Sequence, residues 1–356
     1  MLIDMCNNMA LQHHSVTLCV INKDYETTLL DELNPQVRLI LFDRPMGDSK
    51  KLPYMRKLAE IIAKDRYDIL HCQGLNCVIF SALAKLRCPH IKILNTVHDV
   101  NNFPRYTHMQ VFLHNLLCSH VIAISKTVEH EILARGTASG KVSVIYNAID
   151  TKRFSLCDHP HIHNGHIHPI DPNAPIVIGN VARIIPAKKG QMVLLKAVDQ
   201  LKQTFPNIHC YFAGDVAPNC DEQYHELLNY IKEQQLEKHV TFLGNVTDIP
   251  SFLSTLDIFV LPSFYEGFGI ALIEALSTGI PCIASALDGP AEILSSPNMG
   301  SLFCSGNSDE LADKITDMIY NYTTYDPLRI SRLIKDHYSI SSLVDQHISI
   351  YKKCLK

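Results

Sequence analysis

The sequence predicts an α/β fold with two doubly wound domains, each built on a parallel sheet. Short β-branched apolar runs alternate with segments of helical periodicity along nearly all of the 356 residues. The runs are continuously apolar, which indicates strands that are buried on both faces and covered by helices. The chain is long enough for two domains of ordinary size. We expect the strands of both domains to direct their carboxyl ends at a shared cleft, where such sheets bind ligands.

The predicted strands fall into two sets. The first set contains SVTLCVI (15–21), DILHC (68–72), IKILNTVH (91–98), HVIAIS (120–125) and KVSVIYN (141–147). The second set contains PIVIGNVA (175–182), IHCYFAG (208–214), HVTFLG (239–244), LDIFVLP (256–262), IPCIAS (280–285) and GSLFC (300–304). The opening residues, MLIDMCNNMALQHH, read as a helix.

A segment rich in Pro, His and Asn, CDHPHIHNGHIHPIDPNAP, separates the two sets and is predicted to be a linker. The predicted organisation is an amino-terminal domain (1–156), the linker (157–175), a second domain (176–335) and a closing helix (336–356). Imidazole is a common metal ligand, but a flexible segment fixes no geometry, and we favour no metal site here. The linker histidines concerned are His159, His161, His163, His166 and His168.

Composition excludes several classes of protein. The 32 Lys and Arg residues nearly balance the 36 Asp and Glu residues, so nothing suggests nucleic acid as a partner. The 12 cysteines contain no Cys-x-x-Cys pair and are interpreted as reduced, mostly buried thiols. No apolar run approaches the roughly 20 residues of a membrane helix, and the first residues lack the pattern of a signal peptide. We therefore predict a cytoplasmic protein.

The stretch FYEGFGIALIEALSTG (264–279) places two carboxylates on either side of a predicted helix start. Glycines let the backbone approach a ligand closely, and a helix start attracts an anion. Glu266 would repel a phosphate and is better suited to sugar hydroxyls, while Glu274 is placed to accept hydrogen bonds from a ribose. Alternatively, both are solvated surface acids.

Two cations follow the first strand of the second domain, in NVARIIPAKKGQ. Arg183 and Lys189 flank a short loop and supply the charge that a diphosphate needs. Together with the acidic loop they indicate a site for a nucleotide-diphosphate sugar. In the amino half, His71 and His98 each end a predicted strand, and a histidine in that position faces the ligand cleft.

The combined pattern resembles a known family. E-G-F-G-x-x-x-x-E, from Glu266 to Glu274, and R-x-x-x-x-x-K-G, from Arg183 to Gly190, are similar to motifs of the retaining glycosyltransferases of family 4, which have the GT-B fold of two Rossmann-like domains. The resemblance extends to HVIAISKTVEHEIL, KVSVIYNAID, FLGNV, LDGPAEIL and the closing helix. The family's usual Asn-Gly is Asn147-Ala148 in this chain.

The resemblance implies a role for each candidate residue. Arg183 and Lys189 would hold the donor diphosphate, with Lys188 as an alternative to Lys189. Glu274 would bind the ribose and Glu266 the transferred sugar. The remaining implied contacts are the main chain of Phe268, Gly269 and Ile270 with the phosphates, Val246 with the base, His98 with the reacting sugar, and the final helix with the first domain.

The implied function is retaining transfer of a sugar from a nucleotide-diphosphate donor to a glycan or lipid-linked acceptor, with no metal or other cofactor. A sugar-nucleotide epimerase of GT-B fold and an inactive nucleotide-sugar binding protein remain alternatives. A NAD-dependent oxidoreductase is disfavoured because no predicted strand is followed by G-x-G-x-x-G.

The segment KKLPYMRKLAEIIAKDR (50–66) combines helical apolar spacing with six cations. It suggests peripheral contact with the inner face of an anionic membrane, although such a face is more often simply solvated.

Members of the family usually open with a strand and a glycine-rich turn, which are missing before the opening helix of this chain. We hypothesise that the true start lies upstream and that the enzyme is active. The alternative is a decayed, inactive copy.

Overall fold

The structure, a computed structural model, describes all residues except 26, 46, 99, 101, 102, 157–160, 164, 165 and 297. Its contacts divide the chain into two compact units. The amino unit contains Met1–Ala148 and Ile340–Lys356, and the carboxyl unit contains Ile149–Ser339. The end of the chain is therefore part of the amino unit.

Among the described residues, the amino unit contains two separate parallel sheets. The strands β1 (Thr17–Asn22) and β2 (Arg38–Arg44) form one sheet, and β3 (Ile69–Gln73), β4 (Lys92–Val97), β5 (Cys118–Ala123) and β6 (Val142–Val144) form the other in chain order. The helices are α1 (Leu2–Leu11), α2 (Thr27–Asp31), α3 (Leu52–Asp65), α4 (Leu75–Phe80), α5 (Ala82–Arg87), α6 (His108–Leu117) and α7 (Lys126–Ala134). The strand β2 was not predicted.

The carboxyl unit is built on one six-stranded parallel sheet of order β11-β10-β9-β12-β13-β14. Its strands are β9 (Ile176–Val181), β10 (Ile208–Ala213), β11 (Val240–Gly244), β12 (Ile258–Leu261), β13 (Cys282–Ser285) and β14 (Gly300–Phe303), and a hairpin of β7 (Ile162–His163) and β8 (His166–Ile167) precedes them. Its helices are α8 (Pro186–Lys189), α9 (Gln191–Leu201), α10 (Asp221–Glu233), α11 (Ile249–Leu253), α12 (Ile270–Ser277), α13 (Asp288–Ile293), α14 (Ser308–Tyr320) and α15 (Pro327–Tyr338). The last helix, α16 (Ile340–Leu355), belongs to the amino unit.

The helix α1 connects the two sheets of the amino unit. On one side Met5 and Met9 join a buried cluster with Leu94 of β4 and Leu343 of α16. On the other side, Cys6 and Ala10 pack with Val37, next to β2. A side-chain hydrogen bond of 2.9 Å between Thr17 and Tyr67 also links the start of β1 to the segment before β3. The hypothesis of a missing strand stays a prediction.

The segment 157–175 was predicted as a linker, but its described part packs inside the carboxyl unit. Ile162 and Ile170 are buried, and β7 and β8 pair in antiparallel fashion. His161 Nε2 lies 3.7 Å from Oδ1 of Asp257, and the side chain of Asp257 is buried. The sequence did not indicate this packing because the segment is otherwise polar. Its two buried isoleucines show no periodicity that would predict a structural element.

The other linker histidines offer less information. His159 lies outside the described residues, and the side chains of His163 and His166 are also outside them. In the part of the chain that is described, no three His, Cys, Asp or Glu side chains come together as a metal site would require.

The described cysteines are all free thiols, and most are buried. Over the same residues, no helix has both the length and the hydropathy that crossing a bilayer requires.

Candidate functional site

The two predicted ligand loops lie side by side because β9 and β12 are neighbours in the sheet. Ile258 pairs with Ile178 and Phe259 with Gly179. This is the point where the strand order reverses, with β10 and β11 on one side and β13 and β14 on the other. Open parallel sheets bind ligands at such a point, beyond the carboxyl ends of the strands. The loop after β9 carries Arg183 and Lys189, and the loop after β12 carries Glu266.

Gly190 lets the backbones of the two loops meet. It has φ +67°, and a Cβ at this position would lie 1.9 Å from the carbonyl oxygen of Pro262. The carbonyl of Lys188 in turn accepts hydrogen bonds from the N–H groups of Phe264, at 2.8 Å, and Tyr265, at 3.3 Å. The cationic loop and the acidic loop are therefore joined through their main chains.

We expect Gly190→Ala to lower the free energy of unfolding by about 3 kcal/mol, because the new methyl group overlaps a backbone oxygen and the left-handed φ is also strained. Chemical denaturation would measure this loss. Gly136→Ala is the matched control, since Gly136 has φ +85° but no atom lies within 4 Å of the point that a Cβ would occupy. The control variant should lose about 1 kcal/mol of the free energy of unfolding, from the left-handed φ alone. Equal losses in both variants would show that the contact with Pro262 is unimportant.

Lys189 and Glu266 form an ion pair in the centre of the site. Lys189 Nζ donates to Glu266 Oε2 at 2.6 Å, and both side chains are mostly buried. The hydroxyl of Ser263, which is fully buried, donates to the same oxygen at 3.3 Å. Ser305 Oγ donates to the carbonyl of Ser263 at 3.2 Å. The carboxylate of Glu266 is thus oriented by a cation and a hydroxyl from two different positions.

Arg183 has an exposed side chain and a fixed main chain. Its carbonyl accepts a hydrogen bond of 3.0 Å from Gln191 Nε2, and Gln191 is fully buried. Lys188 is exposed as well, so its side chain and that of Lys189 have different surroundings. Of the two lysines, the structure brings Lys189 to Glu266.

The backbone conformation of the residues before α12 leaves the first turn of this helix open to a ligand. Gly269 precedes the helix with φ 105° and ψ 60°, which a glycine adopts readily. Phe268 is buried against Tyr338, and a Cβ on Gly289 would lie 2.3 Å from the Cα of Phe268. Ile270, the first helical residue, is 36% exposed. These packing contacts fix the loop so that the first N–H groups of α12 are available to an anion.

Glu274 lies one turn further along α12 and is half-buried. Burial raises the pKa of Glu274 to about 7, and the positive charge of Arg153 opposes this shift. Near pH 7 both the protonated and the ionised form of the Glu274 carboxyl group are therefore populated.

Val246 follows β11 and is half-buried. A bridge between Gly214 and Gly244 fixes the ends of β10 and β11 beside it. The role predicted for Val246 stays a prediction.

In the amino unit, His98 is oriented by Gln73. His98 Nε2 and Gln73 Oε1 are 2.6 Å apart, so the ring donates from Nε2 when this oxygen accepts. Both residues line a cavity of about 20 Å³ with Thr96, Asn147 and His347. That volume is sufficient for roughly one water molecule.

His71 has a structural role in this geometry. Its Nδ1 lies 2.6 Å from the hydroxyl of Tyr351 in α16, and its Nε2 lies 2.7 Å from Thr96 Oγ1. Burial lowers the pKa of His71 well below its usual range, with a further contribution from His347. A neutral imidazole with both nitrogens engaged joins β3 and β4 to the last helix.

Two contributing residues were not predicted. Ser263 lies three residues before Glu266 within the run LPSFYEG, and its position beside the motif was the available signal. Gln73 ends β3 and meets His98 after β4, because β3 and β4 are adjacent. Nothing in the sequence around Gln73 distinguishes it from an ordinary polar residue.

Family models match both halves of the chain. The model described as Glycosyltransferase Family 4 matches residues 1–153, and the model described as Glycosyl transferases group 1 matches residues 167–330.

Several relatives are similar to the chain along most of its length. The O-antigen biosynthesis glycosyltransferase WclY of Escherichia coli is 25% identical over 82% of this chain and 80% of its own length. The UDP-Gal:alpha-D-GlcNAc-diphosphoundecaprenol alpha-1,3-galactosyltransferase of the same species is 27% identical over 73% of this chain and 69% of its own.

Among solved structures, HepE of Anabaena in complex with UDP has a TM-score of 0.81 with 21% identity, covering 99% of this chain and 95% of HepE. A glycosyltransferase from Rickettsia africae has a TM-score of 0.83 with 21% identity, covering 99% of this chain and 94% of that one. These similarities confirm the fold class that the sequence predicted.

Proposed function

Because the chain belongs to the GT-B glycosyltransferases of the family 4 type, we propose that it moves a hexose from a UDP-sugar to a hydroxyl group of a lipid-linked glycan, in the cytoplasm and with retention of anomeric configuration. The observation that carries this proposal is the arrangement at the ends of β9 and β12. A cation, a carboxylate and a helix start meet there, within a part of the chain whose fold is that of sugar-nucleotide enzymes.

The charges of the site match the parts of such a donor. Lys189 and the exposed guanidinium of Arg183 would neutralise the two phosphates, together with the N–H groups at the start of α12. Glu274, further along the same helix, would accept hydrogen bonds from the ribose. Glu266 would accept hydrogen bonds from the hydroxyls of the sugar, in the orientation that Lys189 and Ser263 give it.

In the proposed reaction, the bond between the anomeric carbon and the diphosphate oxygen breaks, and negative charge develops on that oxygen. Lys189 is held beside Glu266, and Arg183 extends from a main chain that Gln191 fixes, so positive charge is arranged before the reaction. Preorganised charge is an efficient means of catalysis. The two cations supply the charge for which a metal ion would otherwise be used, so we propose that none is required. The acceptor oxygen attacks from the leaving-group face and forms the new bond to the anomeric carbon, and its proton passes to the departing phosphate.

The choice of donor and acceptor is supported by the relatives. The names of two similar proteins state UDP-Gal as donor and UDP as ligand, and the first also states a diphosphoundecaprenol acceptor. His98, in the amino unit, would hydrogen-bond the reacting sugar, with Gln73 fixing its ring. The assignment of Val246 to the base belongs to the same proposal.

A donor screen tests the proposal directly. UDP- and GDP-sugars with labelled hexoses would be incubated with the protein and a lipid-diphosphate glycan, and the products separated. We expect a labelled α-glycoside from an α-linked UDP-sugar. A labelled epimer of the donor without any glycoside would indicate the epimerase instead, and donor binding without any product would indicate an inactive binding protein.

Binding of the donor should depend on pH through Glu274, whose pKa is raised to about 7 by burial. As the pH falls through 7 the carboxylate is protonated and loses an acceptor, so the Kd of an intact UDP-sugar should rise roughly tenfold between pH 8 and pH 6. Isothermal titration calorimetry would measure it. Glu274→Gln should bind weakly and show little pH dependence, and Glu274→Ala should likewise weaken nucleotide binding. A variant with the pH dependence of the original protein would exclude Glu274.

A further inference from the structure

A short segment of the carboxyl unit lies along α12 and carries the exposed Arg153. The hydroxyl of Ser277, in the last turn of α12, donates to the carbonyl of Phe154. Two residues later in both, a Cβ on Gly279 would lie 2.5 Å from Leu156 Cδ1. The segment and the helix therefore run alongside each other, and Arg153 is placed next to the turn that precedes Ser277.

Glu274 lies in that preceding turn. It comes three residues before Ser277, and residues with this spacing are neighbours on the surface of a helix. The electrostatics agree with this placement, because burial raises the pKa of Glu274 to about 7 and the positive charge of Arg153 opposes that shift. Arg153 thus lies on the side of α12 that carries the carboxylate assigned to the ribose.

The main chain of Arg153 is fixed by Asp150. The Oδ1 atom of Asp150 accepts hydrogen bonds from the N–H groups of Lys152, at 2.9 Å, and Arg153, at 3.4 Å. The carbonyl of Asp150 accepts a further hydrogen bond of 3.0 Å from the N–H of Phe154, whose side chain is buried. An aspartate that bonds the residues after it stabilises a turn. The backbone that carries the arginine is therefore held without help from a ligand.

The guanidinium of Arg153 has donors to offer. Its Cζ lies 5.6 Å from the centre of the Phe154 ring, an arrangement in which the ring attracts the cation. Among the residues that the structure describes, the guanidinium donates no hydrogen bond and forms no ion pair. Its five N–H groups form a planar fork, and they are open to the acceptor atoms of a ligand.

A second carboxylate feels the same positive charge. Asp248 begins α11, where its Oδ1 accepts from the N–H of Ser251 at 3.2 Å. Hydrogen bonds from Ser251 lower the pKa of Asp248, and the charge of Arg153 acts in the same direction. Asp248 comes two residues after Val246, the residue assigned to the base. The charge of Arg153 therefore reaches both the ribose side and the base side of the proposed donor site.

We propose that Arg153 is a specificity-determining residue that donates hydrogen bonds to the nucleoside of the donor. This inference rests on the proposed function and deepens it, because no motif in the sequence assigned a cation to the nucleoside. The phosphates are assigned to the start of α12, whereas Glu274 lies beyond its first turn, so Arg153 is on the nucleoside side. The carbonyl oxygens of uracil and the hydroxyl oxygens of ribose are acceptors that a guanidinium matches.

The test compares UDP with inorganic pyrophosphate, which has the diphosphate but no nucleoside. The test variant is Arg153→Gln, and the matched control is Lys152→Gln, at the adjacent exposed cation that is bonded to the same Asp150 oxygen. We expect the Kd of UDP to rise about tenfold to a hundredfold in Arg153→Gln and to stay within about twofold in the control. The Kd of pyrophosphate should be equal in the two variants. Calorimetry would measure both ligands, with pyrophosphate in competition with UDP, and circular dichroism would verify the folds.

A double-mutant cycle separates a direct contact from an effect through Glu274. If Arg153 contacts the nucleoside itself, Arg153→Gln should weaken UDP binding by about the same factor in the original protein and in Glu274→Gln. A loss that disappears in the Glu274→Gln background would make Arg153 only an electrostatic partner of Glu274, and the proposal would be wrong.

Two further results would overturn the proposal. Equal UDP affinity in Arg153→Gln and Lys152→Gln would show that the guanidinium does not contact the donor. Equal weakening of UDP and pyrophosphate by Arg153→Gln would place Arg153 at the diphosphate instead. In both cases UDP still binds the original protein, so the proposed function would stand. An original protein that binds no UDP would overturn the proposed function and this inference together.

Discussion

Lys189→Ala is expected to lower kcat/KM of the sugar transfer by about 30-fold to several thousand-fold, the equivalent of roughly 2–5 kcal/mol for a lost charged partner in a buried site. The ammonium group of Lys189 is mostly buried and lies 2.6 Å from Glu266. Its removal takes a positive charge from the developing diphosphate and leaves the carboxylate of Glu266 without its cation. Steady-state kinetics with a labelled UDP-sugar would measure the loss.

Lys188→Ala is the matched control for this variant. Lys188 is the adjacent residue and is exposed, and its contact with the acidic loop is made by the main-chain carbonyl, which alanine retains. We expect its activity within about threefold of the original. Arg183→Ala should lose activity as Lys189→Ala does. Normal turnover in both the Arg183 and Lys189 variants would show that the diphosphate lies elsewhere. A loss of activity confined to Lys188→Ala would show that Lys188, and not Lys189, holds the diphosphate.

Glu266→Ala is expected to lower kcat by on the order of 100-fold to 1000-fold, the usual cost of losing one oriented group that acts on the transition state. Its effect on nucleotide affinity should be small, because in our proposal Glu266 contacts the transferred sugar and not the nucleotide. Without the carboxylate, Lys189 remains available for the diphosphate. Calorimetric titration with UDP and initial-rate kinetics would separate the two effects.

The isosteric variant Glu266→Gln distinguishes charge from shape. The amide oxygen still accepts a hydrogen bond, but the neutral side chain no longer forms an ion pair with the ammonium group of Lys189. We therefore expect an intermediate loss of kcat. Ser263→Ala should give a smaller loss of the same kind, since it removes the 3.3 Å hydrogen bond that orients Glu266. Equal losses of UDP affinity in Glu266→Ala and Glu274→Ala would contradict the division between sugar and ribose.

Most strands could be predicted from the sequence because buried parallel strands are continuous apolar runs. The run LDIFVLP became β12, and PIVIGNVA became β9. The strand Arg38–Arg44 was missed because it is only partly buried and carries charges at both ends. The hairpin of β7 and β8 was missed because each of its strands has two residues, too few for any periodicity to show.

The residues of the candidate site divide in a similar way. Arg183, Lys189, Glu266 and Glu274 could be selected because each lies at or after a strand end within a recognisable motif. Ser263 contributes through its contact with Glu266, and Gln73 through its contact with His98. A single polar residue has no sequence pattern that predicts such a contact. His71 and His98 look alike in the sequence, yet the structure places His71 Nδ1 against the hydroxyl of Tyr351 in α16 and His98 Nε2 against Gln73 Oε1.

The sequence by itself determined the alternation of the longer buried strands with helices, the glycine-bearing loops and the chemical types of the site residues, because these follow from local periodicity and motif. Only the tertiary structure decided that β9 and β12 are neighbours, which sets Lys189 against Glu266. It also decided which face of α6 is exposed, since His114 finds Asn95 as a partner on β4. Both depend on contacts between residues distant in the chain, and the free energy of such contacts is set by the packing of the whole unit rather than by any local stretch.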